Sequence, residues 1–222
     1  MIAPFFISSS NENPQNVLLF FLVKDETNIT EWCNDLSDFL KKREIRATIF
    51  FTGTVAEQYP ESVAIFGEDF DVGSQTYSYV NLTSINDYTT QLKEIRKGKQ
   101  AVNKAGYLSS KLFRAPFGGT DENIYSLLAR SGIVADFSYK DHYNKYIEDK
   151  FLLFNISYVD GLNFSSRTQK DFGNNVIISF ENSTPVTIIK NQISSFYSSN
   201  LRFITASELT GLDLTIWNGD NR

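Results

Sequence analysis

The chain has 222 residues, 41% of them hydrophobic and 14% aromatic, with a formal net charge of −5. That length and apolar content suit one large α/β domain with a sizeable core. A mildly acidic chain without Lys/Arg clusters argues against nucleic-acid binding, where phosphate neutralisation dominates, and against an anionic membrane surface.

The counts of one Cys and one His narrow the chemistry further. One Cys excludes an intrachain disulfide, and one His excludes a zinc site built from two imidazoles of one chain. Ser–His–Asp or Cys–His catalysis would have to run through His142 alone, and no G-x-S-x-G elbow, P-loop or G-x-G-x-x-G accompanies it. The longest apolar run, Val17 to Val23, has strand length, whereas a membrane-spanning helix needs about 20 residues. No signal peptide is evident at the start. Asn-x-Ser/Thr triplets at Asn28, Asn81, Asn155, Asn163 and Asn182 are close to the number that chance gives, so they are compatible with secretion without showing it.

In chain order, residues 1–16 read as an irregular lead-in. "VLLFFLV" (Val17 to Val23) reads as a buried strand. "TEWCNDLSDFLKKR" carries Trp32, Leu36, Phe39 and Leu40 at helix spacing, with Thr30 as a candidate N-cap. "RATIFFTG" is a strand ending in a glycine turn, "TVAEQYPESVAIFGE" a helix interrupted by Pro60, and "DFDVGS" a short strand. Ser84 to Ala105 predicts a long helix capped by Ser84, with Asp87 three residues on. "KLFRAPFG" predicts a strand opening into a turn, and "TDENIYSLLARSG" a capped helix ending at Gly132. "IVADFSY", "FLLFNISY" and "NNVIISF" predict strands, "TPVTIIKNQISSFYSSN" a helix with Pro185 in its first turn, and "LRFITASEL" a last strand and helical turn.

Strand–helix alternation predicts parallel strands covered by helices, either a β/α barrel or a doubly wound sheet, with ligands at the carboxyl ends of the strands. That rule points to Lys24–Thr27, Gly73–Tyr79, Arg114–Gly118, Ser138–His142 and Phe180–Ser183.

Several of these strand ends resemble motifs of the polysaccharide deacetylase family, which includes chitin and peptidoglycan deacetylases. The family's histidine loop typically reads Gly-Asn-His-Thr-x-Ser-His-x-x-Leu, and this chain reads Gly73-Ser74-Gln75-Thr76-Tyr77-Ser78-Tyr79-Val80-Asn81-Leu82. "LFRAPFGGTDENIYSLLARSGIVADFSY" resembles the Arg-x-Pro-Tyr/Phe-Gly motif with its helix and next strand, and "VIISFENS" with the following helix resembles the final strand. The resemblance spans roughly residues 17 to 210, which sets 211–222 apart as a tail.

The resemblance implies an α/β fold, a distorted (β/α) barrel, that removes acetyl groups from N-acetylglucosamine polymers. It implies a zinc ion held by one Asp and two His, polarising the acetamide and activating water. An Asp serves as base, an Arg orients it, and a late His protonates the leaving amine. Carried onto this chain, the paired aspartates fall on Asp25 (base) and Glu26 (metal carboxylate), about 21 residues before Ala47. The metal histidines fall on Gln75 and Tyr79. Arg114 and Pro116 match directly. The late His falls on Glu181, or on Phe180 one residue earlier, and Asp141 is the counterpart of an Asp that would orient it.

Glu26, Gln75 and Tyr79 give one carboxylate, one weak carbonyl and one phenol that loses its proton only near pH 10, a poor set for zinc. The zinc is therefore expected to be absent, with Gln75 and Tyr79 hydrogen-bonding across the site and Asp25 pairing with Arg114. The alternative is a metal-poor amide hydrolase using Asp25, Glu181 and Arg114. Tyr77, Tyr79, Pro116, Phe117 and Tyr139 are candidate sugar contacts, with Tyr143 nearby. His142 reads as a loop residue, Cys33 and Trp32 as core, and Trp217 as packing back on the barrel. The resulting expectation is a degenerate chitin- or chitooligosaccharide-deacetylase-like protein, extracellular or in the cell wall. Its expected partner is an N-acetylglucosamine polymer.

Overall fold

The computed structural model describes residues 15–138, 146–147, 151–153, 157–160, 175–196 and 201–218. Strand β1 (Gln15–Val23) is the spine, because both of its faces are covered. Val17, Leu19, Phe21 and Val23 pack under the helices with Trp32, Cys33 and Leu36. Leu18, Phe20 and Leu22 point to the other side, against Phe50, Leu112, Ala135 and Ile177. This two-residue alternation makes an outer helix-facing layer and an inner barrel layer out of one apolar run.

After β1 come α1 (Ile29–Lys42), β2 (Thr48–Phe51), α2 (Gly53–Gln58), α3 (Pro60–Ala64), β3 (Asp71–Ser74) and α4 (Tyr88–Gly106). Then follow β4 (Leu108–Ser110), β5 (Leu112–Phe113), α5 (Glu122–Arg130), β6 (Ala135–Asp136), β7 (Tyr146–Ile147), β8 (Phe151–Leu153) and β9 (Ser157–Asp160). The chain closes with β10 (Asn175–Glu181), α6 (Val186–Phe196), β11 (Leu201–Phe203), α7 (Ala206–Thr210) and β12 (Thr215–Trp217). The main sheet runs β7-β8-β6-β5-β3-β2-β1-β10-β9, with β11 pairing to the first residues of β1. Its pairings are parallel apart from β7 with β8. The architecture is a distorted (β/α) barrel.

Local chemistry accounts for where the structure departs from the sequence reading. Thr30 lies inside α1, and the cap position is taken by Asn28 in a left-handed conformation with no side-chain bond. Helix α4 starts at Tyr88, because Asp87 accepts from the Thr89 and Thr90 amides, while Ser84 sits in a separate 3-10 turn. The run "FLLFNISY" divides into β8 and β9, which lie at opposite ends of the sheet order. Strand β1 takes in Gln15 and Asn16, which the sequence reading placed in the lead-in. Residues 211–218 pack against the barrel. Leu214 is fully buried in the inner layer, β12 pairs antiparallel with β4, and Trp217 Nε1 donates to the Phe70 carbonyl at 3.2 Å.

Pro60 divides α2 from α3, as its missing amide requires. Cys33 is fully buried and its thiol is pushed up to about 12 by that burial, which makes it a core residue. Trp32 packs in the same layer and donates Nε1 to the Thr184 carbonyl at 2.8 Å.

Candidate functional site

Inner-face alternation along β1 continues Leu18, Phe20, Leu22 and arrives at Lys24, which the strand-end rule placed in a ligand region but to which the family resemblance gives no chemical role. On β10 the same alternation puts Phe180 in the outer layer, stacked on Phe21, and leaves Glu181 at the inner mouth. The two strand ends are in register, Leu22 opposite Glu181, so their side chains meet. Lys24 Nζ lies 2.9 Å from Glu181 Oε2 and 3.7 Å from Glu26 Oε1. It also stands 5.1 Å from the centre of the Tyr79 ring. Burial alone would lower the Lys24 ammonium, but its bond to Glu181 and the surrounding negative charge raise it above its ordinary value, so it is a cation.

The loop after β3 is held in place by backbone and side chain together. Gln75 is 1% exposed, and its amide donates to the β2 carbonyl of Phe51 at 2.8 Å. Its side-chain Nε2 donates to the Val23 carbonyl at 3.2 Å and the Phe50 carbonyl at 3.0 Å. Gln75 thus ties the ends of β1 and β2 and does not reach across to Tyr79, as the sequence reading expected. The Val80 amide donates to Thr76 Oγ1 at 3.0 Å, closing the loop on itself. Gly98 of α4 lets the helix touch this loop: a Cβ there would lie 2.5 Å from the Gln75 carbonyl oxygen.

Tyr79 and Phe117 form the aromatic part of the mouth, ring centres 5.2 Å apart and tilted by 60°. Both have left-handed backbones, φ 58° and 60°, which cost energy for non-glycine residues and cluster at functional sites. Phe117 is 65% exposed and sits in the turn Pro116–Gly118, with Pro116 buried beneath. The Tyr79 phenol is raised above its ordinary value, by burial first and by the Glu181 carboxylate second, so it keeps its proton.

Arg114 is buried and carries its charge behind the mouth. Its guanidinium donates to the Phe137 carbonyl and lies 5.9 Å from the centre of the Phe20 ring. Neighbouring Asp136 is fully buried, and burial raises its carboxyl to about 7 against the opposing effects of the Ser138 bonds and the Arg114 charge. The Ser138 hydroxyl donates to Asp136 and accepts from the Ala115 amide at 2.6 Å, tying β6 to the turn that presents Phe117.

Of the residues singled out from sequence, Glu26, Tyr79 and Glu181 therefore converge on Lys24, with Phe117 alongside. Asp25 is exposed, and the ion pairs of the mouth join Lys24 to Glu26 and Glu181 rather than Asp25 to Arg114. The expected Asp25–Arg114 pair is replaced because Arg114 continues the inward face of β5 while Asp25 follows Lys24 off the inner face. Tyr77 is not part of the mouth. Its hydroxyl donates to Glu57 at 2.7 Å and its ring lies 3.4 Å from Lys97 Nζ, against α2 and α4. Tyr139, Asp141, His142 and Tyr143 lie outside the described residues.

The zinc implied by resemblance does not fit the side chains present. Gln75 spends its amide nitrogen on two backbone carbonyls, Tyr79 keeps its phenolic proton, and Glu26 faces an ammonium. Among the described residues no cluster of three or more His, Cys, Asp or Glu is arranged to hold a metal ion.

A parallel barrel whose strand ends gather the Gln75–Tyr79 loop, the Arg114–Gly118 turn and Glu181 is the fold seen in solved polysaccharide deacetylases. The polysaccharide deacetylase family model matches residues 10–135, and the chain belongs to that family. It is 31% identical over 111 residues to a peptidoglycan-N-acetylglucosamine deacetylase of Bacillus cereus, an alignment covering 50% of this chain and 40% of that protein. Among solved structures it is similar to the peptidoglycan deacetylase PdaC of Bacillus subtilis, with TM-score 0.66, 18% identity, and 90% and 91% of the two chains covered. It is also similar to a CE4 family pseudoenzyme from Bacillus anthracis, with TM-score 0.60, 15% identity, and 89% and 66% covered.

Proposed function

We propose that this chain is a saccharide-binding member of the polysaccharide deacetylase family that does not carry out metal-dependent deacetylation. The observation that carries the reading is the Lys24 ammonium placed between Glu26 and Glu181 at the barrel mouth. Amide hydrolysis builds an oxyanion and expels a poor leaving group, and needs a Lewis acid or a set of donors aimed at that oxyanion. Here Glu181 is engaged by Lys24, Arg114 is turned onto a backbone carbonyl, and Asp25 is exposed.

What the mouth retains is a recognition surface. Phe117 offers an exposed ring beside Tyr79, and Glu26, Glu181 and Lys24 offer hydrogen-bonding groups at its edge, the pairing of ring face and polar fringe that suits a pyranose. The names of the relatives, a peptidoglycan-N-acetylglucosamine deacetylase and a peptidoglycan-N-acetylmuramic acid deacetylase, support cell-wall peptidoglycan over chitin as the glycan, and a cell-wall setting. A solved pseudoenzyme with the same fold, whose mutant has restored enzymatic activity, supports the idea that such barrels persist without turnover.

The test is an acetate-release assay on N-acetylated peptidoglycan and on chitooligosaccharides, with and without added zinc or cobalt, beside a pull-down on the same glycans. The expected result is retention on peptidoglycan with no acetate above the blank. Metal-stimulated acetate release would overturn the reading.

A further inference from the structure

We propose that Lys24 is a built-in cation that takes the place of a metal ion at the barrel mouth, and that its charge closes this site to divalent cations even when imidazoles are restored. The inference rests on the non-hydrolytic reading above, but it concerns a residue outside the family's ligand positions.

The geometry is that of a cation site with an internal occupant. Groups from three strand ends converge on one ammonium: Glu26 from beyond β1, Tyr79 from the loop after β3, and Glu181 from β10. Two of these positions, Glu26 and Tyr79, are those at which resemblance expects metal ligands. The ammonium is held there by its own strand. Lys24 is the inner-face position after Leu18, Phe20 and Leu22, and its backbone is fixed on both sides by Asn182. With its side chain only 22% exposed, it is packed into the mouth rather than extended into solvent. A fixed positive charge within ion-pair distance of the same carboxylates repels any second cation that would use them. The ammonium in turn offsets the negative charge of both carboxylates, since Glu26 and Glu181 each lie within ion-pair distance of it.

The consequence is specific. Restoring Gln75→His and Tyr79→His supplies the missing imidazoles but leaves the charge in place. Removing the charge as well is required.

The experiment titrates cobalt(II), followed by its d–d absorbance and by calorimetry, into three purified proteins. The first carries Gln75→His and Tyr79→His. The second adds Lys24→Met, which keeps most of the apolar stem. The third adds Lys24→Arg instead, which keeps the charge. Circular dichroism and thermal unfolding establish that each is folded, with Lys24→Gln in reserve should the Met variant fail. The expected result is an affinity on the order of tenfold or more tighter for the Met protein than for the other two. Equal affinities in all three, including no binding by any folded variant, would overturn the proposal. These outcomes concern metal affinity alone, so they are distinct from acetate release by the unaltered chain, which would overturn the functional reading instead.

Discussion

Asn182 pairs with the backbone of Lys24 in both directions: its Nδ2 donates to the Lys24 carbonyl at 2.9 Å and its Oδ1 accepts from the Lys24 amide at 3.2 Å. The Asn182 amide also donates to the Leu22 carbonyl at 3.1 Å. A side chain thus adds one more rung to the β1–β10 ladder just where the two strands end, and that rung aims Lys24 at Glu181. It also accounts for the burial of the Asn182 side chain, the first residue of one of the Asn-x-Ser/Thr triplets.

Replacing Asn182 by Ala leaves a backbone donor and acceptor unpaired in a mostly buried place, a cost of about 1–3 kcal/mol. Asn182→Asp should cost as much or more, because it sets a carboxylate oxygen against the Lys24 carbonyl. In a chain of this length each kcal/mol lowers the melting temperature by about 2–4 °C. Thermal unfolding of both variants checks this. A melting temperature for Asn182→Ala equal to that of the unaltered chain would show that the rung contributes nothing.

Gly98 provides a case in which helix propensity and packing disagree in sign. In the middle of α4, Ala is favoured over Gly by about 1 kcal/mol. Yet a Cβ at Gly98 would lie 2.5 Å from the Gln75 carbonyl oxygen and 3.0 Å from the Thr76 carbonyl carbon, both backbone atoms. Backbone cannot swing away as a side chain does, so Gly98→Ala should be net destabilising by about 1–3 kcal/mol. It should also loosen the loop that carries Tyr79. Denaturant unfolding measures the first effect. A stabilised Gly98→Ala variant would mean that the helix and loop are free to separate.

Much of this frame is legible in the sequence, and the illegible parts share a cause. Apolar periodicity marks the strands and helices well enough to give parallel strands covered by helices, because burial on both faces of β1 requires a continuous run such as "VLLFFLV", and the family resemblance is what chooses the barrel. The same periodicity, carried one step past Leu22, points to Lys24, and this was the available signal for the residue that the motif comparison passed over. What periodicity cannot show is partnership between distant segments. The pairing of β12 with β4, the Asn182 rung and the inward turn of Arg114 onto Phe137 are set by tertiary contact. Tyr77 and Tyr79 illustrate the point: two residues apart in one loop, one faces α4 and the other the mouth.

Asp136 gives the fold a pH dependence of definite sign. Burial raises its carboxyl to about 7, and its Oδ2 has no hydrogen-bond partner among the described residues. In the unfolded chain an aspartate releases its proton near about 3.9. Between these values the folded chain holds a proton that the unfolded chain has given up, so stability falls as pH rises from about 4 to about 7, and levels off above. Asp136→Asn removes the charge while keeping an acceptor for Ser138. It should therefore raise the melting temperature at pH 8, and the gain should shrink towards zero near pH 4. Melting curves for both proteins across that range test it, and parallel curves would exclude Asp136 as the source.

Phe117 separates what the mouth does from what holds the barrel together. Its backbone at φ 60° is left-handed, and its ring is mostly exposed beside Tyr79. Asn and Gly tolerate that conformation better than Phe, so Phe117→Asn should relieve about 0.5–1 kcal/mol of backbone strain. Little packing is lost in return, because the ring buries little area beyond its contact with Tyr79. The expected outcome is a variant as stable as the unaltered chain or slightly more so, yet with glycan retention reduced roughly two- to tenfold, since stacking on an aromatic ring contributes about 0.5–1.5 kcal/mol. Retention on peptidoglycan and thermal unfolding, measured on the same preparation, decide between the two roles. If Phe117→Asn lowers stability and leaves retention intact, the strained turn serves packing and the saccharide surface lies elsewhere. If stability holds and retention falls, the strain at Phe117 is the cost of presenting a ring to ligand.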